Sequence, residues 1–206
     1  MGLVFFDKLK KLDVVLGSQS PRRKKLLEDL GLPFRVWAIP GDEHFPSGLK
    51  GAEVAGYLSK EKAVPFIPQL SSDTILITAD TIVVCGNNIL NKANTEQNAS
   101  EMLKLLSGEK HQVITGVSLT SVSDQKTFCE VSNVHFYPLT NEEISVYIET
   151  CKPFDKAGAY GIQEWIGSVG VDKIEGSYHN IVGLPVARLY RELKDFYAAN
   201  FAFLDH

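Results

Sequence analysis

Residues 75–85 read Ile-Leu-Ile-Thr-Ala-Asp-Thr-Ile-Val-Val-Cys, the most β-prone run in the chain, and a carboxylate stands in the middle of it. An ionised aspartate buried without partners costs roughly several kcal/mol, so Asp80 must be paired, metal-bound, protonated, or set where the strand opens into a cleft. Those demands make Asp80 the foremost candidate for catalysis. A bulge or strand-end aspartate bonded to nearby backbone is the plainer alternative. Gly86-Asn87-Asn88 then reads as a turn, and Ile89 to Lys92 return as the second strand of a hairpin. A three-residue turn sets Lys92 opposite Ile82 on the Asp80 face, whereas a two-residue turn moves it to the Thr81 face. The spacing leaves that register open.

A second unit lies upstream. Val14 to Leu16 form a short apolar strand, Gly17 and Ser18 break it, and Ser20 followed by Pro21 reads as an N-cap with proline at the first helical position. The helix runs to Gly31, a left-handed C-cap, with Leu26, Leu27 and Leu30 as its apolar stripe. Helical spacing puts Arg22 and Arg23 one turn above Leu26 and Leu27, facing the rest of the protein. Lys24 and Lys25 instead precede Glu28 and Asp29 by four residues and are explained by pairing with them. Two guanidinium groups at the positive end of a helix call for an anion. Free amides, the Ser18 and Ser20 hydroxyls and the two arginines suit a phosphate or carboxylate, unless acidic residues elsewhere in the fold satisfy them.

With 206 residues and 44% hydrophobic content, the chain fits one large domain or two close lobes around a substantial core. A net charge of -4 argues against a broad nucleic-acid footprint, so phosphate recognition is expected to be local and the partner a small molecule. Cys85, Cys129 and Cys151 are widely spaced and in no CxxC pattern, which fits a reducing compartment and gives no zinc site. The apolar stretch Leu3 to Phe6 stops at Asp7, too short for a signal peptide or a membrane span. A cytoplasmic protein with no membrane partner is the expectation.

Along the rest of the chain, Phe34 to Ile39 alternates like a strand and leads into the acidic turn Pro40-Gly41-Asp42-Glu43. Residues 53–63 form a helix with Val54, Tyr57 and Leu58 on one face and Lys62 at its end, stopped by Pro65. Thr95 caps a helix that ends at Ser107-Gly108, and strands follow at about 111–122 and 126–137. His111 lacks a metal-ligand spacing and is read as structural. Thr140 to Glu143 is a capping box opening a helix whose stripe is Ile144, Tyr147, Ile148 and Cys151. From Phe154 to Gln163 and on to Gly183, clustered glycines mark either a binding wall or a set of tight turns. A last helix opens at Gly183-Leu184-Pro185 and carries Ala187, Tyr190, Leu193 and Phe196. Walker A and GxGxxG motifs are absent.

Taken in order, Leu16 to Arg23, Ala79-Asp80-Thr81, Leu106-Ser107-Gly108, Thr115-Gly116-Val117, Asp155 to Gln163, and Glu175-Gly176-Ser177-Tyr178 to Gly183-Leu184-Pro185 resemble the Maf family of nucleoside triphosphate pyrophosphatases. The similarity runs from about Val14 to Phe196. It implies an α/β fold, two-lobed and ITPase-like, around a bent mixed sheet with the active site in a cleft between lobes, the whole of 1–206 being one domain. It implies hydrolysis between the α- and β-phosphates with a divalent metal. Residue by residue, the catalytic aspartate falls on Asp80, phosphate contacts on Ser18, Arg23, Lys62 and Lys92, and the cleft glutamate on Glu43. Base preference falls on Arg22, Thr81 and Gln163, a trio like that of the subfamily acting on dTTP and UTP. Lys156, inside the Asp155 to Gln163 motif, is grouped with the substrate-binding residues. Two departures are Gly17 for the usual alanine and Ala93 for the usual proline, the second bearing on how firmly the hairpin holds Lys92.

The hard oxygen ligands Glu43 and Asp80 favour Mg2+, with Mn2+ as the alternative. Family members are often dimers, which makes a homodimer an expectation. Two competing readings remain at this stage: a nucleotide-binding regulator of cell division or septum formation without turnover, and a γ-phosphatase.

Overall fold

The computed structural model describes residues 4–39 and 44–205, so Glu43 lies outside the described residues. In chain order the elements are α1 (Val4–Leu9), β1 (Asp13–Leu16), α2 (Pro21–Leu30), β2 (Arg35–Val36), α3 (Ala52–Glu61), β3 (Thr74–Cys85) and β4 (Asn88–Leu90). There follow α4 (Glu96–Leu106), β5 (Lys110–Thr120), β6 (Gln125–Phe136), α5 (Asn141–Cys151), α6 (Trp165–Val169), β7 (Val171–Glu175), α7 (Tyr178–Val182) and α8 (Val186–Asn200). Among the described residues seven strands form one mixed sheet in the order β2-β1-β3-β5-β6-β7, with β4 on β3, so the α/β class expected from sequence is the one observed.

The chain divides into two compact units. The first comprises Met1–Asp80, Thr115–Cys129 and Gly183–His206, and the second Thr81–Ile114 and Glu130–Val182. In the first unit β1 is parallel to both β2 and β3, with Leu16 paired to Ile77. β1 is buried from Val14 to Leu16, and the β3 residues Thr74–Asp80 are buried throughout, as befits strands covered on both faces. Val15, Ala63, Phe66 and Leu76 form a local core that Trp37 closes edge-on at 5.0 Å from Phe66. α2 carries the expected caps: the Ser20 hydroxyl accepts from the Arg23 N–H, and Gly31 is left-handed at φ 74°. Lys24 and Lys25 pair with Glu28 at 3.6 Å and Asp29 at 2.8 Å, on the exposed side.

In the second unit a core of Leu103, Leu106, Val113, Val134, Ile144, Tyr147 and Ile166 gathers α4, α5, α6 and the strands around it. The Thr140–Glu143 capping box opens α5 as expected. His111 is 1% exposed, shares a 2.8 Å hydrogen bond with the Tyr160 hydroxyl, and meets Phe136 edge-on at 5.0 Å. The structural role expected for it is the one it has.

Several expectations are corrected. The strand at 34–39 is only Arg35–Val36, because one edge of that pair lies open and Trp37 adds a single bond to Leu16. Asn88 belongs to β4 and not to the turn, so the register that the spacing left open is the two-residue one: Cys85 pairs with Asn88, leaving Gly86 at φ 57° and Asn87 between them. β4 stops at Leu90, and Lys92, instead of continuing that strand, forms an antiparallel bridge with Ala157. Leu30 is only half-buried, as is Cys151, and Ala187 is exposed, Val186 and Leu189 facing the core in its place. The glycine-marked stretch contains three short elements, α6, β7 and α7, besides its turns.

Burial pushes the His111 imidazole down from 6.5 to about 4. Between those values the unfolded chain binds the proton more readily, so His111 contributes stability above pH 6.5 that is lost as pH falls toward about 4, by up to about 3 kcal/mol. His111→Gln should therefore make the acid-side decline of unfolding free energy, measured by urea titration from pH 7 to 4, shallower than in the wild type. Parallel profiles would contradict this.

Candidate functional site

The parallel register of β1 and β3 brings the loop after β1 alongside the middle of β3. Gly17 donates its N–H to the Ile77 carbonyl at 2.8 Å, and a Cβ at Gly17 would stand 2.8 Å from the Thr78 methyl, so the loop lies directly against Thr78. Asp80 is three residues beyond Ile77, about 10 Å further along the strand. This places the start of α2 and the strand aspartate on the same side of the β1–β3 pair, in the direction of their C-terminal ends, where open α/β sheets bind ligands.

At the start of α2 the Ser18 hydroxyl accepts from the Ser20 N–H at 3.3 Å and from the Arg23 guanidinium at 3.3 Å. Arg23 Nε donates to the Gly183 carbonyl at 2.9 Å, tying the helix to the segment that opens α8. Arg22 and Arg23 are half-buried while Lys24 and Lys25 are exposed, the division that helical spacing implies.

Asp80 is buried, and its carboxylate accepts a charge-assisted hydrogen bond from the Lys62 ammonium. Neither charge is isolated, which answers the question posed by an acid in an apolar strand. Lys62 is the C-cap of α3, and the geometry that delivers it is specific. Near the end of that helix the Ala63 N–H turns to the Lys60 carbonyl at 2.9 Å, and the Ser59 carbonyl receives the Thr78 hydroxyl of β3 at 2.7 Å. A strand side chain thus caps a helix carbonyl, two residues before Asp80 and three before Lys62. The Ser59 hydroxyl continues the chain, donating to the Gly56 carbonyl at 2.8 Å and lying 2.9 Å from Ser118, which is 2.8 Å from Thr127. A Cβ at Gly116 would fall 2.1 Å from the Ala55 carbonyl oxygen, so α3 rests on β5 backbone to backbone. Small residues let the helix approach closely enough for the cap and the ion pair to form together.

The remaining candidates belong to the second unit. The chain passes into it between Asp80 and Thr81, and Thr81 is half-buried. Lys92 sits at its bridge with Ala157, and Gly158 donates to the Leu90 carbonyl at 3.0 Å. Gln163 is exposed. Lys156 is buried, its ammonium 2.7 Å from Asp155 and 3.0 Å from Glu164. The Glu164 carboxylate also receives the Tyr147 hydroxyl. Sequence reasoning missed Thr78, Ser59 and Glu164, and saw Tyr147 only as part of a buried stripe. The one available signal was the hydroxyl of Thr78, two residues before Asp80 on the same face of a mostly apolar run.

Among the described residues there is no group of three or more His, Cys, Asp or Glu able to hold a metal ion, and no helix long and apolar enough to cross a membrane. A buried strand carboxylate gripped by a lysine, beside a helix start carrying hydroxyls and guanidiniums, defines a mixed α/β protein equipped for an anionic ligand. The chain belongs to the family described as Maf-like protein, whose sequence model matches residues 13–196. The dTTP/UTP pyrophosphatase of Phocaeicola vulgatus is 49% identical over 189 residues, covering 91% of this chain and 98% of the relative. That of Bacteroides thetaiotaomicron is 48% identical over 187 residues, covering 90% and 97%. The Porphyromonas gingivalis dTTP/UTP pyrophosphatase is 46% identical over 197 residues, covering 94% and 99%.

Thr78→Val keeps the shape of the side chain but leaves the Ser59 carbonyl without its donor. It should lower unfolding free energy by about 1–2 kcal/mol in urea titration. An unchanged midpoint would show that the cap contributes nothing to holding α3.

Proposed function

We propose that this protein hydrolyses nucleoside triphosphates between the α- and β-phosphates, releasing the monophosphate and pyrophosphate, with dTTP and UTP as its substrates. The observation that carries the reading is the buried Asp80–Lys62 pair in the strand beside the start of α2, in a chain nearly half identical to relatives named for that activity. Attack on an α-phosphorus needs charge neutralised along the triphosphate and a water held in line. Ser18, Arg22 and Arg23 at the start of α2, with Lys62 and Lys92, supply donors and positive charge for the phosphates. Asp80 accepts the proton of the attacking water. Gln163, donor and acceptor in one side chain, suits the paired O4 and N3–H edge of uracil and thymine, and Thr81 is small enough to leave room for the base.

A magnesium ion fits this donor set in one way. Asp80 offers a hard carboxylate oxygen, and Mg2+ is commonly bound by one or two carboxylates together with substrate phosphates, so a full protein cage is not required. Asp80, with Glu43 as the second carboxylate, would hold the ion, Mn2+ being the substitute. When bound it supplies neutralisation of the departing pyrophosphate charge.

The test is incubation with UTP or dTTP and Mg2+, followed by product analysis. Pyrophosphate and monophosphate are expected, and Asp80→Asn should lose turnover by about 10²-fold or more while still binding triphosphate. Orthophosphate with diphosphate would move the cut to the γ-phosphate, and stoichiometric binding without products would point to a sensor. Near-normal turnover in Asp80→Asn would remove Asp80 from its role.

A further inference from the structure

Gln163 is exposed, yet its neighbours are held from several directions. Ile162 before it is buried, and Glu164 after it is half-buried. The two oxygens of that carboxylate have separate partners: Oε1 lies 3.0 Å from the Lys156 ammonium, and Oε2 accepts from the Tyr147 hydroxyl. Tyr147, wholly buried on α5, in turn accepts the Gly161 N–H at 3.0 Å. The Glu164 N–H returns to the Gly161 carbonyl at 3.0 Å, closing the loop on itself. The carboxylate folds so tightly over Gly161 that a Cβ there would stand 2.8 Å from it. Upstream, Gly158 and Ala159 are both left-handed, at φ 68° and 56°, and Ala159 is fully buried. An alanine is kept in that conformation only where its surroundings determine it.

We infer that Tyr147, Glu164 and Lys156 are positioning residues for base selection, fixing the segment that presents Gln163 so that its amide approaches the base from one direction. The inference rests on the proposed reading of Gln163 as the residue that contacts the base. It also gives Lys156, whose ammonium already faces two carboxylates, the task of holding this segment in place of contacting substrate. The chemistry shows why such a scaffold matters. Uracil and thymine offer an acceptor beside a donor, cytosine the reverse, and a primary amide meets either pattern by turning over. A glutamine on a loose segment can follow either base and discriminates poorly, whereas one whose backbone is fixed must reach the base at a set distance and angle, which suits one pairing edge better than the other. Burial and the bond to Glu164 push the Tyr147 phenol far above its ordinary range, so it stays a neutral donor at any working pH.

The test compares kcat/KM for UTP and CTP, read as pyrophosphate release, in the wild type, Tyr147→Phe and Glu164→Gln, with Gln163→Ala as the reference for lost selection. Tyr147→Phe should lower the UTP-over-CTP ratio by about tenfold, chiefly through a raised KM for UTP, with kcat on UTP within about threefold. Glu164→Gln, which keeps an acceptor for Tyr147 but weakens the hold on Lys156, should lower the ratio by a smaller factor. A merely structural role would lower the melting temperature and leave the ratio within about twofold, and that result in both variants overturns the inference. If Tyr147→Phe fails to fold, the Glu164→Gln ratio decides alone. A wild type that cleaves UTP and CTP equally defeats the reading of Gln163 itself, and with it the need for a positioning network; a wild type with preference intact in the variants defeats only the network.

Discussion

The ion pair between Lys62 and Asp80 ties together two segments that meet only because each arrives at a defined height. Removing the Lys62 charge would leave the Asp80 carboxylate uncompensated in a strand of nearly continuous apolar residues, a loss of about 3–5 kcal/mol, whereas an asparagine at 80 keeps an oxygen for the ammonium to bond. The pair is therefore a constraint on everything that sets the end of α3 against β3. Gly116 is bare so that the helix can descend, Thr78 reaches the Ser59 carbonyl near the helix end, and Ser59 sends its own hydroxyl into the sheet. A few small polar residues do here what a larger apolar contact would do elsewhere, and they do it with directional bonds that fix rotation as well as distance.

The second unit solves a similar problem by different means. Its loop from 156 to 164 is fastened by a carboxylate, an ammonium and a phenol, with a bridge at Ala157 and left-handed backbone at Gly158 and Ala159. Both units thus use buried polar networks whose members are mutually satisfied, the condition under which such networks specify geometry more than they weaken a core.

Features governed by nearest neighbours were readable in the sequence. Ser20-Pro21, Gly31, Thr95 and the Thr140–Glu143 box each announce a helix end through contacts spanning three or four residues, and each is where expected. Asp80 was also readable, because an acid in an apolar run is a contradiction that local chemistry cannot resolve. The partner that resolves it was named as a candidate on family resemblance alone; Lys62 at a helix end looks like ordinary dipole compensation until α3 is docked. Lys92 was beyond reach since two turn lengths fit the same residues, and the bridge to Ala157 depends on a segment 65 residues away. Tyr147 shows the limit of periodicity: the pattern says that the ring is buried and is silent about where its hydroxyl goes. Glu164 meets partners 8 and 17 residues back, distances at which no spacing rule operates.

The division of the chain has a consequence for how the protein is made. The first unit needs Gly183 onward as well as the segment ending at Asp80, and Arg23 in its second helix leans on the Gly183 carbonyl. During synthesis the early strands emerge long before α8 exists to meet them, leaving apolar surface uncovered while about a hundred further residues are added. Completion of that unit must await the late segment, so it cannot be finished vectorially, and a nascent chain that still lacks α8 leaves part of the first unit's apolar surface uncovered.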